Sequence, residues 1–124
     1  MRKRALLIEP DRILLQQYAY KLDRDFDVIA AANAQEAIDA LDTLDQIDLI
    51  VLDVHIGQNN GVELLHEIRS YDDWLEIPVI MLSSVPKNRL PVERLSKYGV
   101  ERMLYKPQTA PHELLRQARR VAIA

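Results

Sequence analysis

Short, continuous apolar runs separated by helix-like segments are the feature of this sequence that most restricts its fold. Each run is mostly Val, Ile, Leu and Ala. Continuous apolar runs of this length predict strands that are buried on both faces, as in parallel sheets covered by helices. The runs occupy residues 5–8, 28–32, 49–52 and 79–82, and a less regular fifth strand is predicted at residues 100–105.

The segments between these runs have apolar residues at helical spacing. Leu15, Tyr18 and Leu22 follow this spacing, which places them on one face of a helix. Asn33 is suited to cap a second helix because Glu36 lies three residues further on. Strands that alternate with helices predict a single α/β domain with helices on both faces of a parallel sheet and right-handed crossovers.

The fourth helix is predicted to be short. Pro86 and Pro91 lie between the fourth and fifth strands, and proline interrupts a long helix. The complete pattern is five successive strand–helix units, and a chain of 124 residues is a normal length for one domain. We therefore expect residues 1–124 to form one domain.

Composition and charge exclude several classes of function. The net charge is −3 and the 16 basic residues form no long run, which disfavours binding to nucleic acid or to anionic membranes. The chain has no cysteine, which excludes disulfides and thiolate chemistry and suits a cytoplasmic protein. No apolar stretch approaches the roughly 20 residues that span a bilayer. We expect a cytoplasmic protein that binds neither nucleic acid nor membranes.

Polar side chains follow four of the five predicted strands. Glu9 and Asp11 come after the first strand, and Asp53 comes after the third. Ser83 ends the fourth strand, and the fifth runs into Lys106. Because ligands of open parallel sheets bind beyond the carboxyl ends of the strands, we expect these side chains to converge at one edge.

This set of side chains has a specific chemical use. The carboxylates of Glu9, Asp11 and Asp53 suit a hard cation such as magnesium, which offsets their mutual repulsion and that of an incoming phosphoryl group. Asp53 is then a candidate nucleophile that forms an aspartyl phosphate. Ser83 and Lys106 are candidates to contact the phosphoryl oxygens. The predicted reaction is phosphoryl transfer to Asp53.

Four segments, in order along essentially the whole chain, resemble the receiver domains of response regulators in two-component signalling. That resemblance implies a flavodoxin-like fold, with a doubly wound five-stranded parallel sheet in the strand order 2-1-3-4-5. The matching segments are LLIEPD at residues 6–11, DVHIGQNNG at 53–61, IPVIMLSS at 77–84 and YKP at 105–107.

The resemblance also implies a role in signalling. Asp53 would be the phosphoacceptor, and a histidine kinase or phosphotransfer protein would be the donor. The backbone carbonyl of His55 would be a further magnesium ligand, and the peptide bond before Pro107 would be cis. The domain would not be an enzyme beyond promoting its own phosphotransfer and dephosphorylation. It would signal to a downstream protein, or form a homodimer, through the fourth helix, fifth strand and fifth helix.

Two positions depart from the family's pattern. Pro10 occupies the second acidic position, which supplies a direct magnesium ligand in the family, and proline has no side-chain oxygen. Magnesium affinity is therefore predicted to be weak. Met103 replaces an aromatic residue that reports activation in many relatives. These departures keep open a second hypothesis, in which the chain is a pseudo-receiver that binds partners without being phosphorylated.

A third hypothesis is a flavin or nucleotide carrier of similar topology. Such a carrier needs a loop rich in Gly, Ser or Thr after the first strand, where backbone amides hold the phosphate. Here that loop contains Glu9, Pro10 and Asp11, and the two carboxylates would repel a phosphate. This hypothesis ranks below the other two.

Overall fold

Five parallel strands form the central sheet of the computed structural model, which describes residues 2–56 and 59–123. The strand order is β2-β1-β3-β4-β5 and every neighbouring pair is parallel, so the predicted topology is confirmed. The strands are β1 (Lys3–Ile8), β2 (Phe26–Ala31), β3 (Leu49–Asp53), β4 (Val79–Ser83) and β5 (Val100–Tyr105).

Five α-helices cover both faces of this sheet. The fourth is only six residues long and follows Pro91, as predicted. Among the described residues, none of the helices is long and apolar enough to cross a membrane. The helices are α1 (Arg12–Leu22), α2 (Ala34–Thr43), α3 (Gly61–Ile68), α4 (Val92–Lys97) and α5 (Pro111–Ala122).

The alternation of side chains along each strand divides the core into two halves. Leu6 and Ile8 of β1 are buried on the face covered by α2, α3 and α4. Ala5 and Leu7 are buried on the opposite face, under α1 and α5. Because successive residues point to opposite faces, burial on both sides requires the continuous apolar run that the sequence contains.

Side-chain caps mark the starts of α1, α2 and α3. The Asn33 side chain accepts a hydrogen bond from the backbone N–H of Glu36, which confirms the predicted cap of α2. The Glu36 side chain in turn accepts a hydrogen bond from the backbone N–H of Ala32. Asn60 caps α3 in the same way, by accepting from Val62 N. These caps satisfy backbone donors that have no partner within the helix.

Candidate functional site

The carboxyl ends of the strands bring four of the predicted site residues to one edge of the sheet. Glu9 directly follows β1, Asp53 and Ser83 are the last residues of β3 and β4, and Lys106 directly follows β5. Glu9 and Asp53 are 0% and 2% exposed, and Ser83 is also buried. Burial of two carboxylates at one edge requires a nearby positive charge.

Lys106 supplies that charge. Its Nζ lies 2.5 Å from Asp53 Oδ2 and 2.7 Å from Glu9 Oε1, and its side chain is only 16% exposed. One ammonium therefore contacts both buried carboxylates. With both acids ionised, the cluster keeps one uncompensated negative charge, which a second cation would offset.

The pKa shifts follow from this arrangement. Burial raises the pKa of Glu9, and the Asp53 charge adds to that increase, while the Lys106 ammonium and the N–H of Asp11 oppose it. For Lys106, burial by itself lowers the pKa. Its short contacts with the Asp53 and Glu9 carboxylates, together with their charges, outweigh burial and raise the pKa above that of a free lysine. Lys106 is thus held in its charged form.

The backbone around Asp53 is packed tightly. Asp53 Oδ1 accepts a hydrogen bond of 2.8 Å from His55 N, which orients the carboxylate. His55–Ile56 pairs with Asn59–Asn60 in a short antiparallel ladder that leads into α3. A Cβ atom at Gly61 would lie 2.2 Å from the backbone oxygen of Asp53. The glycine that closes the DVHIGQNNG segment is therefore required by this close approach of two backbone segments.

The Ser83 hydroxyl is engaged in the turn that follows β4. Ser83 Oγ donates to Val85 O at 2.8 Å and accepts from Val85 N at 3.0 Å. A hydroxyl has one proton, so Ser83 cannot donate to Asp53 at the same time. The structure places Ser83 at the predicted edge, but with its hydrogen bond directed to the turn.

Asp11 caps the first helix. Its Oδ1 accepts hydrogen bonds from Ile13 N and Leu14 N at the start of α1, and its own N–H donates to Glu9 Oε2 at 3.1 Å. Its carboxylate is therefore tied to α1 by one oxygen. Contact of Asp11 with a metal ion stays a prediction.

The donor set at this edge fits magnesium, although it is sparse. Glu9 Oε1 has no hydrogen-bond partner in the described part of the chain, because its short contact with Lys106 lacks hydrogen-bond geometry. Such an oxygen can coordinate a cation, and Mg²⁺ is commonly held by one or two carboxylates together with water and phosphate oxygens. Within residues 2–56 and 59–123, however, no three His, Cys, Asp or Glu side chains are grouped to hold a metal.

One feature implied by the resemblance is wrong in this structure. The peptide bond between Lys106 and Pro107 is trans, since no cis peptide occurs among the described residues. Residues 106–108 instead form a single turn of 3₁₀ helix between β5 and α5.

Two residues of the site region were missed by the sequence analysis. The sequence pattern places Tyr18 only on an apolar helix face and predicts no role for Thr109. Both are buried, and the Tyr18 hydroxyl donates to Thr109 O at 2.9 Å, next to the turn that carries Lys106. The available signal was a tyrosine within a stripe of leucines, because a buried tyrosine hydroxyl usually has a hydrogen-bond partner.

Comparison with known proteins identifies the family. Residues 5–119 match the response regulator receiver domain model. The alginate biosynthesis transcriptional regulatory protein AlgB of Pseudomonas syringae pv. tomato is 27% identical over 81 residues, covering 65% of this chain and 18% of AlgB. The sensor histidine kinase TmoS of Ectopseudomonas mendocina is 31% identical over 93 residues, covering 75% of this chain and 9% of TmoS. The chain thus spans less than a fifth of either relative.

The fold has solved counterparts. The chemotaxis response regulator CheY4 of Vibrio cholerae superposes with a TM-score of 0.86 at 22% identity, covering 98% of this chain and 99% of that chain. Receiver domains are signalling modules of two-component systems rather than conventional enzymes. They interact with histidine kinases and effectors and generally bind Mg²⁺ at an acidic phosphorylation site. Because the family model covers most of its length, the chain belongs to the response regulator receiver domain family.

Proposed function

We propose that this chain accepts a phosphoryl group on Asp53 from a histidine kinase or phosphotransfer protein in the cytoplasm. The observation that carries the proposal is the buried Asp53 carboxylate with the Lys106 ammonium 2.5 Å from Oδ2, at the carboxyl edge of a parallel sheet. A carboxylate oxygen would attack phosphorus while the bond from phosphorus to the donor imidazole breaks. The imidazole nitrogen would keep the electron pair and take up a proton.

Lys106 and Ser83 would stabilise the negative charge of the transferred group. Lys106 is already charged and contacts Asp53, so it needs little rearrangement to contact a phosphoryl oxygen. Ser83 would first have to release Val85 O, after which its hydroxyl can donate to the phosphoryl group. In this proposal, Asp53, Ser83 and Lys106 perform the chemistry.

Magnesium, when bound, would neutralise negative charge on the phosphoryl group and on the carboxylates. Glu9, Asp53 and the backbone carbonyl of His55 are the proposed ligands. Asp11 is a fourth candidate and would use Oδ2, since Oδ1 caps α1. Pro10 contributes no side-chain oxygen, so the affinity is expected to be low.

The proposed output surface consists of α4, β5 and α5. A groove on this side is lined by Met103 and Tyr105 of β5, by Pro86 before α4 and by His112 at the start of α5. Basic residues are frequent here, which suits an acidic surface on a downstream protein or a second copy of the chain rather than nucleic acid. They are Arg89, Arg94, Lys97, Arg102, Arg116, Arg119 and Arg120, of which Arg116 pairs with Glu113 and Arg119 with Asp25.

The test is phosphorylation by acetyl phosphate in the presence of magnesium, followed by intact mass. One phosphoryl group should be added to the parent chain, and Asp53→Asn should add none. Asp42→Asn is the matched control, because Asp42 is exposed on α2 and its replacement makes the same chemical change. An unchanged mass of the parent at saturating donor and magnesium would favour the pseudo-receiver, which the ion pairs of Lys106 with both carboxylates also suit.

A further inference from the structure

Tyr18 has a hydroxyl buried inside the protein, a feature that the proposed chemistry does not use. The side chain is 1% exposed and packs in the core half under α1 and α5. A phenylalanine would fill most of the same volume, so packing alone does not explain the hydroxyl. Burial raises the pKa of this hydroxyl, which keeps it protonated and able to donate.

The acceptor of that hydrogen bond lies at the end of the Lys106 turn. Tyr18 Oη donates to Thr109 O at 2.9 Å, across 91 residues of sequence. Thr109 N donates to Lys106 O at 3.0 Å, and Thr109 Oγ1 donates to Tyr105 O at 2.8 Å. Thr109 therefore joins Tyr18 of α1 to Lys106 and to the residue before it.

We propose that Tyr18 is a positioning residue that, through Thr109, fixes the turn of residues 106–108 and so holds the Lys106 ammonium against Asp53. A lysine side chain has a flexible four-carbon stem, so a mobile backbone adds to the freedom that its two ion pairs must restrain. Small displacements of such a group are costly to a reaction that depends on alignment. The effect on phosphorylation rests on the proposed function, whereas the effect on the Lys106 ammonium does not.

The first experiment measures the rate of Asp53 phosphorylation by acetyl phosphate. Tyr18→Phe removes only the hydroxyl and should slow the reaction by about tenfold, less than the roughly 100-fold that a 1 Å misplacement can cost. The matched control is Tyr20→Phe, because Tyr20 is two residues further along α1 and 83% exposed. This control should react at the parent rate, and an undiminished rate in Tyr18→Phe would overturn the proposal.

A second comparison separates positioning from a general loss of structure. In a Lys106→Met background the ammonium is absent, so Tyr18→Phe should have no further effect on the rate that remains. A reduction by the same factor in both backgrounds would mean that Tyr18 acts through the fold as a whole, and it would overturn the proposal.

The third measurement does not depend on phosphorylation. The ¹⁵N NMR signal of the Lys106 ammonium should be protected from solvent exchange in the unmodified parent and in Tyr20→Phe, and it should exchange faster in Tyr18→Phe. Equal protection in Tyr18→Phe and the parent would overturn the proposal. A parent that keeps a protected Lys106 signal but is not phosphorylated would contradict only the proposed function.

A variant pair at Thr109 tests the next link, from Thr109 to the residue before Lys106. Thr109→Val removes the hydroxyl that bonds to Tyr105 O, and Thr109→Ser retains it. The valine variant should lose protection of the Lys106 ammonium, and the serine variant should keep it. Equal protection in both would overturn the part of the proposal that assigns the link to the Thr109 hydroxyl, because both variants keep the backbone groups that bond to Tyr18 and Lys106.

Discussion

At the end of β1, Pro10 and Asp11 determine how much negative charge faces Asp53. Pro10 has no side-chain oxygen, and Asp11 uses Oδ1 to hold the first turn of α1. Glu9 is therefore the one carboxylate of this segment that shares the Lys106 ammonium with Asp53. The site carries less negative charge than one in which two neighbouring acids face the phosphoacceptor.

Replacing Pro10 with Asp should tighten magnesium binding by about three- to tenfold, because a second carboxylate would face a cation that gives up water reluctantly. Calorimetric titration of the two proteins measures the difference. Asp11→Asn tests Asp11 separately as a magnesium ligand, since asparagine also caps helices but carries no charge. If Pro10→Asp binds no more tightly than the parent and Asp11→Asn binds more weakly, Asp11 already serves as the second acid.

The strands are the elements that the sequence predicts best. The predicted strands at residues 5–8, 28–32 and 79–82 correspond to Lys3–Ile8, Phe26–Ala31 and Val79–Ser83. Their ends differ by one or two residues because the outermost residues of a strand need not be apolar on both faces. The strand order follows from the family resemblance, since periodicity alone shows that strands are buried but not which strands are neighbours.

Apart from the cap at Asn33, the hydrogen bonds of individual side chains do not follow from the sequence. Ser83 was placed at the correct edge, but its bond to Val85 depends on a rotamer and on the path of the following turn. The bond from Tyr18 to Thr109 joins residues far apart in sequence. Residue types at strand ends predict which groups converge, whereas the partner that each group selects depends on the packed structure.

The junction of β3 and α3 leads to a prediction for Gly61. Gly61→Ala should destabilise the fold by about 2 kcal/mol or more and slow phosphorylation, because the added Cβ would overlap the backbone oxygen of Asp53 and displace that residue. Urea denaturation and the acetyl phosphate reaction measure the two effects. Gln35→Ala, at an exposed position in the first turn of α2, should change stability by less than about 0.5 kcal/mol. Parent-like stability and rate in Gly61→Ala would contradict this account of the glycine.

Across the whole molecule, the β4–α4 connection links the site to the proposed output surface. Ser83 holds Val85 through both of its hydrogen bonds, and Val85 leads through Pro86 into the 3₁₀ turn Lys87–Arg89 that precedes α4. A phosphoryl group that draws the Ser83 hydroxyl away would therefore release this connection. Met103 of β5 is partly buried against the half of the core that α2, α3 and α4 cover. Its flexible side chain can repack.

Binding of beryllofluoride, a mimic of the phosphoryl group, should therefore shift amide NMR signals from Lys87 to Arg120 as well as those near Asp53. The shifts in α4, β5 and α5 should be small and graded, because Met103 has no aromatic ring that moves between two positions. Ser83→Ala should keep the signal changes near Asp53 but lose most of those beyond Val85. Alanine has no hydroxyl that could move from Val85 O to the phosphoryl mimic. Changes confined to the Asp53 loop in the parent chain would exclude this route from the site to the output surface.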